Sequence, residues 1–428
     1  MGITILQILA AREQRALLQR QLLQQYEKPV ICFTMNIAGP EKYNDLIALG
    51  FHIGCQRLEA QLQGIPVLHS FHEEAATGCE AYYVCDADAK ILKNITCKIE
   101  ERDPLGRLFD MDVLTAQGKE TRPLPRKCLL CGGNAMACGR SRTHSVEALQ
   151  EKTRQILQEA LAEEIARLAV QSLLCELYTT PKPGLVDLRN SGSHNDMDLF
   201  TFLSSAAALW PYFRRCAQLG IATREAAPEE TFPLLQKAGL EAEQTMYQAT
   251  GGCNTHKGAI FALGLFCGAA GRLQHFDPAA LGAECAAMTK GLSLSGHDTT
   301  GGKLYTTHGI TGARGQAMAG YPAVINIGLP ALQKGLHLGF NRAGCGALLA
   351  ILAGTEDTNL IKRSDPKTHK RLQQKIQELL AAEPYPEEAV LAQLDDRFIE
   401  KNLSPGGSAD LLAASYFLYF LSGLTNCR

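Results

Sequence analysis

The chain has no marked excess of charge, no long apolar run and no glycine loop of the GxxxxGK[ST] type. Its 428 residues include 42 Lys and Arg against 44 Asp and Glu, a formal net charge of −2. No overall basic field is therefore expected to hold nucleic acid, and any anionic ligand must be bound by locally placed Arg, Lys and backbone amides. Because the glycine loop is missing, the sequence does not support a P-loop kinase.

The sequence also lacks a predicted membrane segment and a predicted secretory signal. Residues 1–25 are amphipathic, with charges from Arg12 onward, which predicts a surface helix and not the apolar core of a signal peptide. The longest late apolar run, 411–424, is too short to span a bilayer. Fifteen scattered cysteines, an odd number, do not suggest a disulfide scaffold. We expect a reducing cytoplasmic compartment and no membrane.

The chain is long enough for two domains with substantial cores, and its texture changes near residue 150. Before that point, short apolar runs alternate with turn residues, which predicts an α+β domain. After it, apolar residues recur at helical spacing and strand signals nearly vanish, which predicts an all-α domain. No Pro-, Gly- or Ser-rich linker marks the junction, and we place the domains at 1–152 and 153–428.

Individual elements follow from the same patterns. In the first domain the predicted strands cover 29–35, 81–84 and 91–99, and the predicted helices cover 4–25 and about 41–50. In the second domain helices are expected around 156–173 and at about 198–218, 230–249, 257–272, 279–292, 342–354, 366–382 and 408–423.

The sharpest local signal of the first domain is the acidic pair in GRLFDMDVL, residues 106–114. If this segment is a strand, Asp110 and Asp112 lie on the same face, since side-chain direction has a period of two. Two such carboxylates are a good ligand set for Mg²⁺, which would neutralise phosphates and favour in-line displacement at phosphorus. The alternative is a solvated strand face that carries two ordinary acids.

The segment NIAGPEK, residues 36–42, follows a predicted strand and opens a predicted helix. Free backbone amides at a helix start, together with Lys42, can hold a phosphate. An ordinary strand-to-helix turn is the alternative.

A third feature combines a CxxC pair with a further cysteine, a histidine and basic residues. The spacing resembles that of zinc ligands, although it matches no common finger. The interleaved basic residues suit a pyrophosphate or triphosphate equally well, and reduced structural cysteines are a third interpretation. The residues concerned are Cys128, Cys131, Cys138, Arg140, Arg142 and His144.

These three segments, in this order, resemble the apo-citrate lyase phosphoribosyl-dephospho-CoA transferases over about residues 1–150. The resemblance rests on MNIAGPEKYN, GRLFDMDVL and RKCLLCGGNAMACGRSRTHS. It implies that the phosphoribosyl-dephospho-CoA unit is transferred to a serine of the acyl carrier protein (gamma subunit) of citrate lyase, with release of pyrophosphate.

The acidic pair is also similar to the metal-binding pair of the nucleotidyltransferase superfamily, which implies a nucleotidyltransferase-like α+β fold. Asp110 and Asp112 would then hold Mg²⁺ and take part in catalysis. Glu100 or Glu101, expected at the end of a preceding strand, is considered as a third ligand. The residues expected to face phosphate are Lys42, Arg107, Arg140 and Arg142.

Five polar, glycine-rich segments interrupt the predicted helices of the second domain. A bundle gains little packing from such loops, so their number indicates a binding site. Two of them open predicted helices, where free amides face an anion. Each has a plainer explanation, since Ser408 is a good helix cap and a single histidine such as His308 is more often structural. The five segments are 175–198, 250–258, 307–315, 356–363 and 404–410.

In order and content these segments resemble the triphosphoribosyl-dephospho-CoA synthases, from about residue 160 to the C-terminus. The resemblance rests on TTPKPGLVDLRNSGSHNDMD, TGGCNTHKG, THGITGARGQAMAGYP, EDTNLIKR and LSPGGSADLLA. It implies that ATP donates its triphosphoribosyl unit to the 2′-hydroxyl of 3′-dephospho-CoA while adenine leaves. Since ATP is a β-nucleotide and the family product is α-linked, a single inverting displacement at C1′ is the simplest mechanism.

The implied chemistry assigns roles to residues of these segments. A base takes the 2′-hydroxyl proton, and an oxocarbenium-like transition state needs negative charge nearby. Asp187 or Glu176 is the candidate base, and His194 the candidate that protonates or orients adenine. Phosphates with Mg²⁺ need cations, amides and carboxylates. The candidates for phosphate or substrate contact are Lys182, Asn254, His256, Lys257, Arg314, Ser404, Gly406 and Gly407, and those for metal are Asp196, Asp357 and Asp410.

Three other functions stay open on this reasoning. Malonate decarboxylase maturation uses a related prosthetic group, although the fusion and the RKCLLCGG segment favour citrate lyase. A metal-dependent N-glycosidic hydrolase of the ADP-ribosyl type would share the acidic helical chemistry but would not need the first domain. A non-catalytic module that binds a carrier protein predicts no release of adenine from ATP and dephospho-CoA.

Overall fold

The computed structural model describes residues 4–294 and 300–424. The chain forms two compact units: the first contains the residues up to Leu161 together with Leu424, and the second is Ala162–Gly423. The first unit contains a small sheet with helices, and the second is helical in its described part. This confirms the α+β and all-α classes expected for the two halves of the chain.

The sheet of the first unit has five antiparallel strands in the order β2-β3-β1-β4-β5. The strands are β1 (Val30–Met35), β2 (Val67–Ala75), β3 (Gly78–Cys85), β4 (Phe109–Thr115) and β5 (Gly118–Lys119). The helices are α1 (Ile5–Tyr26), α2 (Asp45–Gln61), α3 (Ala89–Glu101) and α4 (Ala135–Arg140). The division between the units falls within α5 (Val146–Tyr178), as does the boundary expected at 152/153, which stays a prediction.

The two faces of this sheet are covered by different helices. On one face Phe33 of β1 stacks on Phe51 of α2, with 5.0 Å between ring centroids. On the other face Cys32 and Tyr82 pack with Leu22 of α1. Alternation along β1 therefore separates a face with a buried aromatic core from the face that carries Thr34 between polar neighbours.

The strand predicted at 91–99 is wrong, because these residues belong to α3. Asp88 caps the helix by accepting the backbone N–H groups of its first turn. Leu92, Thr96 and Ile99 lie buried at helical spacing. A short apolar run alone does not separate a strand from a buried helix, and here the cap decides.

Two further elements differ from the prediction. The helix expected at about 41–50 begins only at Asp45, because Asn44 caps it by accepting the N–H of Ile47 at 2.9 Å. Strand β2 was not predicted, since most of its side chains are exposed and show no apolar alternation.

The second unit packs its helices around α9 (Lys257–Leu273), which is buried over nearly its whole length. The helix expected at 198–218 is divided into α6 and α7. The other helices are α6 (Leu199–Ala208), α7 (Trp210–Ala222), α8 (Pro228–Ala249), α10 (Pro278–Met288), α11 (Thr300–His308), α12 (Gly312–Met318), α13 (Leu329–Gly335), α14 (Phe340–Gly354), α15 (Thr358–Arg363), α16 (Pro366–Ala382), α17 (Glu388–Glu400) and α18 (Gly406–Gly423). Over the described ranges no single helix has the length and hydropathy of a membrane span; only α9 and α10 taken together do, as a pair bent by 107°.

Helices α7 and α9 approach so closely that their contact requires glycine. A Cβ atom at Gly271 would lie 2.2 Å from the carbonyl oxygen of Ala217, and one at Gly220 would lie 2.1 Å from that of Gly268. Backbone atoms cannot move aside independently, so any side chain here must separate the helices.

We expect Gly271→Ala to destabilise the second unit by about 1–3 kcal/mol, because the clash outweighs the gain of about 1 kcal/mol in helix propensity. Thermal and urea unfolding followed by circular dichroism measure the change. Gly239→Ala in α8 is the matched control, since its nearest atom would be the Tyr212 hydroxyl at 3.5 Å. Unchanged stability of Gly271→Ala would contradict the close approach.

Candidate active sites

The acidic pair of the first unit lies on one face of β4, as predicted from the sequence. Register with β1 places Asp110 and Asp112 at alternate positions of the strand. Their side chains are 46% and 26% exposed. Asp112 pairs with Lys119, and the Asp110 carboxylate lies 3.7 Å from the Arg126 guanidinium. Both carboxylates are thus accessible to a ligand and have cations beside them.

Glu80 of β3 is a third carboxylate on this face, which the sequence analysis missed. Thr34 of β1 lies opposite Glu80 on one side and opposite Asp110 on the other, so the three residues form one row across the sheet. Glu80 pairs with Arg15 of α1 and accepts a hydrogen bond from Tyr82. The predicted strand began one residue after Glu80, and its polar face therefore went unnoticed.

A groove of about 310 Å³ borders this face between α1 and strands β2 and β3. Arg15, Glu80 and Tyr82 line one part of it, and His69 and Phe71 line another. It mixes apolar wall with ionisable groups, as ligand grooves commonly do.

Glu100, considered as a metal ligand at a strand end, instead lies buried near the end of α3. Its carboxylate pairs with Arg122 and with Arg126, the latter at 2.8 Å, and accepts the Met111 N–H at 2.7 Å. Burial raises the pKa of Glu100, and these partners oppose that shift. Glu101 is exposed and pairs with Arg122. Glu100 therefore anchors the segment that follows β5 to β4.

Lys42 and Arg107, expected to face phosphate, both donate to backbone carbonyls. Lys42 donates to Ile37, and Arg107 donates to Lys127. Burial lowers the pKa of both side chains. The segment 36–42 does not open a helix as predicted, because α2 begins after it. Their role in binding phosphate stays a prediction.

The three segments that carry the first resemblance meet at the start of β4. The N–H of Asn36 donates to the carbonyl of Leu108 at 2.7 Å, and Arg126 donates to the carbonyl of Phe109. Beyond Arg126, four ligand atoms lie within 4.8 Å of one another in what we call the cysteine–histidine cluster. The cluster consists of Cys128, Cys131, Cys138 and His144. Arg140 and Arg142 beside it are exposed.

The five polar segments of the second unit converge. Hydrogen bonds and close contacts join segments that lie as far apart in sequence as His194 and Ser404. The joining contacts are Cys253 with the Asp196 carbonyl, His194 with Ser404, Ser408 with Asp357, and Gly312 with Thr358. The convergence supports the prediction that these loops form a site.

Glu176 and Lys182 form an ion pair that is almost entirely buried, with 6% and 1% of the side chains exposed. The Lys182 ammonium also donates to the Glu176 carbonyl at 2.7 Å. Burial raises the pKa of Glu176, and Lys182 opposes that shift. A buried charge pair of this kind tolerates the loss of neither partner.

Asp187, the other candidate base, accepts hydrogen bonds from the backbone of its own loop. It accepts the N–H groups of Lys182 and Arg189, both at 2.7 Å. Asp395 of α17, which the sequence analysis missed, is fully buried, accepts the Gly184 N–H at 2.9 Å and pairs with Arg189. The two carboxylates together fix the loop; nothing in the plain helical sequence around Asp395 indicated this.

Asp410 lies against the start of α9. A Cβ atom at Gly258 would fall 1.9 Å from its carboxylate oxygen, so a side chain there would have to displace the carboxylate. Burial raises the pKa of Asp410 well above its usual range, Glu176 and Asp357 raise it further, and the Ala259 N–H lowers it. Three mutually repelling carboxylates therefore favour a proton or a cation at this point.

His256 immediately precedes α9 and is 3% exposed. Its Nδ1 lies 2.7 Å from the Ser205 hydroxyl, and its ring packs edge-on against Phe202. Its buried Nε2 has no hydrogen-bond partner within the described ranges. Burial, and then the charge of Lys182, lower the pKa of His256 to about 3. His256 is therefore a neutral imidazole whose buried Nε2 is unpaired within the described ranges.

His194 joins the first segment to two others. Its Nε2 lies 2.9 Å from the Ser404 hydroxyl, and its Nδ1 accepts from Arg363 at 3.2 Å. Burial, and then Arg363, lower the pKa of His194. Asp196 lies 3.8 Å away with 64% of its side chain exposed.

Asp357 caps two helices at once. It accepts from the first turn of α15, at 3.0 Å from the Asn359 N–H, and from both the N–H and the hydroxyl of Ser408 at 2.7 and 2.9 Å. Ser408 is not a cap residue as predicted, because α18 begins at Gly406. A Cβ atom at Gly407 would meet the Asp357 carboxylate at 3.2 Å. Gly407 thus allows the start of α18 to approach Asp357, and Gly406, where a Cβ atom would lie 2.8 Å from the Asn359 side-chain amide, allows it to approach α15.

The remaining predicted phosphate contacts lie near the surface. Lys257 is half-exposed and pairs with Glu243 at 2.7 Å. Arg314 donates to the carbonyl of Ser293 at 3.3 Å, and Asn254 is exposed. These side chains can reorient towards a ligand, and their roles stay predictions.

Two family models match the chain, one in each half. CitX, described as apo-citrate lyase phosphoribosyl-dephospho-CoA transferase, matches residues 3–160. CitG, described as ATP:dephospho-CoA triphosphoribosyl transferase, matches residues 162–428. Both resemblances drawn from the motifs are thereby confirmed.

Similar proteins match over nearly the whole chain. Protein CitXG of Haemophilus influenzae is 35% identical over 97% of this chain and 96% of its own length. Protein CitXG of Leuconostoc mesenteroides subsp. cremoris is 32% identical over 98% of each chain. A 2-(5''-triphosphoribosyl)-3'-dephosphocoenzyme-A synthase of Haemophilus ducreyi is 37% identical over 68% of this chain and 99% of its own.

The low pKa of His256 predicts a loss of stability in acid. Between pH 3 and about 6.5 the unfolded chain binds a proton at this residue that the folded chain does not, so stability falls as the pH falls. We expect His256→Asn to reduce the slope of the unfolding free energy near pH 5 by about 1.4 kcal/mol per pH unit. Urea unfolding between pH 5 and 7 measures the slope, and the exposed His308→Asn should leave it unchanged. Equal slopes for wild type and His256→Asn would contradict the prediction.

Proposed function

This chain belongs to the CitXG family of fused citrate lyase maturation enzymes, and we propose how its two units carry out successive reactions. The second unit makes 2′-(5″-triphosphoribosyl)-3′-dephospho-CoA from ATP and 3′-dephospho-CoA with release of adenine. The first unit transfers the phosphoribosyl-dephospho-CoA group to a serine of the citrate lyase acyl carrier protein and releases pyrophosphate. The product of one unit is thus the substrate of the other.

The observation that carries the site of adenine release is the convergence of the five polar segments, in which Asp410 lies against the start of α9 and is affected by the charges of Glu176 and Asp357. In the reaction the C1′–O2′ bond forms as the bond from C1′ to adenine breaks, and adenine leaves with one proton. Negative charge near C1′ stabilises the oxocarbenium-like transition state. Asp410, when ionised, supplies that charge, because Lys182 already offsets the charge of Glu176.

Among the carboxylates, Asp410 suits the acceptance of the 2′-hydroxyl proton best. Burial and the neighbouring carboxylates raise its pKa, which makes it a stronger base, and the residue is part-exposed. Glu176 is occupied by Lys182, and Asp187 by backbone N–H groups. This proposal gives Asp410 the base role first considered for the other two.

We assign substrate binding in this unit to side chains of the converging segments. The free Nε2 of His256 can bond to a substrate, and His194 beside Ser404 can orient adenine. Since the oxygens of Asp357 are already bonded, Asp196 is the better ligand for Mg²⁺ on the triphosphate. When bound, the metal would neutralise phosphate charge.

In the first unit we assign the transfer step to the acidic face of β4, in a nucleotidyltransferase-like arrangement. The carrier serine oxygen bonds to phosphorus as the bond to pyrophosphate breaks. Asp110 and Asp112, on one face of β4, would hold Mg²⁺, which would neutralise the reacting phosphates. Lys119 and Arg126 lie beside the pair and can bind the departing pyrophosphate.

We expect Asp410→Asn to lower adenine release by about 10²–10⁴-fold, because the base is lost. Chromatography of reactions with ATP and dephospho-CoA measures adenine. Transfer from preformed triphosphoribosyl-dephospho-CoA to the carrier protein should be unchanged. Asp396→Asn, an exposed acid that pairs with Arg189, is the control. Near-normal adenine release by Asp410→Asn would remove this residue from the mechanism.

The converse result is expected for the first unit. Asp110→Asn and Asp112→Asn should each lower carrier modification by roughly 100-fold or more. Each change removes a ligand from the Mg²⁺ that would neutralise phosphate charge. The mass of the carrier protein reports transfer, and adenine release in the same mixture should be normal. Asp86→Asn, which pairs with Lys28 at the surface, is the control. Full transfer by both variants would exclude the acidic face.

A further inference from the structure

The segment between β5 and α5 has little packing to hold it. Most of residues 120–145 are exposed, and α4 within it buries no side chain. A single β-bridge, between Lys127 and Asn134, is its other regular feature. A surface segment this poor in burial needs another source of order.

The cysteine–histidine cluster lies within this segment, and its geometry is that of a closed metal site. Its four ligand atoms lie within 4.8 Å of one another. The sulfurs of Cys131 and Cys138 are 3.6 Å apart. Two thiolates on tetrahedral zinc, each at about 2.3 Å from the metal, would be about 3.8 Å apart, whereas disulfide sulfurs would be at about 2.0 Å.

The first two cysteines are presented by a tight turn. The Cys128 N–H donates to the Gly133 carbonyl at 2.5 Å, and the Gly132 N–H donates to the Cys128 carbonyl at 3.1 Å. Gly132 has a φ of +73°, which only glycine adopts freely. The N–H groups of Leu130 and Cys131 point at the Cys128 sulfur. Such donors stabilise a thiolate ligand.

The other two ligands come from separate elements. Asn134 caps α4 by accepting the N–H groups of Met136 and Ala137, and the helix carries Cys138. His144 follows the helix, and its buried Nε2 has no hydrogen-bond partner within the described ranges. A turn, a helix and a loop therefore direct four ligand groups at one point.

We propose that Cys128, Cys131, Cys138 and His144 bind one Zn²⁺ in a structural, four-ligand site. The metal would link the turn to α4 and to the approach to α5, in place of an apolar core. It would also hold the backbone at Lys127, which accepts from Arg107, beside β4. The proposal is independent of the reaction assigned to either unit.

Metal content tests the site directly. The full-length chain, produced without a histidine tag and exchanged into metal-free buffer, should contain one zinc per chain by plasma mass spectrometry. Replacement by Co²⁺ should give the thiolate charge-transfer and d–d bands of tetrahedral coordination. Cys131→Ser should lose the bound zinc and the bands, while Cys175→Ser, a part-buried thiol of the second unit, should keep both.

Two further measurements guard against a variant that fails to fold. His144→Cys should retain one metal and intensify the thiolate bands, whereas His144→Ala should weaken binding. Trypsin should cleave after Arg140 and Arg142 faster once zinc is removed from the wild-type chain, and added zinc should restore protection. Wild-type chain that holds no metal after incubation with equimolar zinc would overturn the proposal. A Cys131–Cys138 disulfide in chain purified without oxidant would also overturn it.

Discussion

The carboxylate of Asp410 rests on the backbone of Gly258 where α9 begins, and the site of the second unit depends on that contact. Because Gly258 carries no side chain, the start of α18 reaches the start of α9, which is buried over nearly its whole length. The same approach brings the carboxylate within the field of Glu176. Gly258 in the segment 250–258 is therefore a packing requirement, since glycine here admits a neighbouring carboxylate.

In the first unit the corresponding constraint is the buried carboxylate of Glu100. It pairs with Arg122 and Arg126 and receives the Met111 N–H, so one acid ties an otherwise loose basic segment to the strand that carries Asp110. Its energetic weight follows from burial, since two arginines and an N–H would lose their partner together. A residue considered from the sequence as a third metal ligand instead supports the strand that carries Asp110.

The features that were predicted correctly have a visible signal in the sequence, either a periodic pattern or a series of motifs in a fixed order. The pairing of Asp110 with Asp112 follows from the period of a strand, and the five polar segments stood out against helices that did not need them. Glu80 and Asp395 had no such signal. Glu80 joins the site only through the register of three strands, and Asp395 only because a distant loop brings Gly184 to α17. The strand expected at 91–99 failed for a related reason, since the Asp88 cap outweighs an apolar run that fits both structures.

Both candidate sites contain several carboxylates, although both reactions have substrates with negatively charged polyphosphate groups. Cations beside the carboxylates are therefore needed in both sites to offset the repulsion. In the second unit a buried lysine offsets carboxylates that water cannot screen, so the balance is fixed by the fold. In the first unit the cations are Lys119 and Arg126 at an accessible strand face, so a ligand can replace carboxylate as their partner. A charge arrangement fixed by the fold suits a displacement at carbon, because positive charge develops there and is stabilised by a carboxylate already in place. Cations that can exchange a carboxylate for a phosphate partner suit a displacement at phosphorus, because pyrophosphate must be bound and then released.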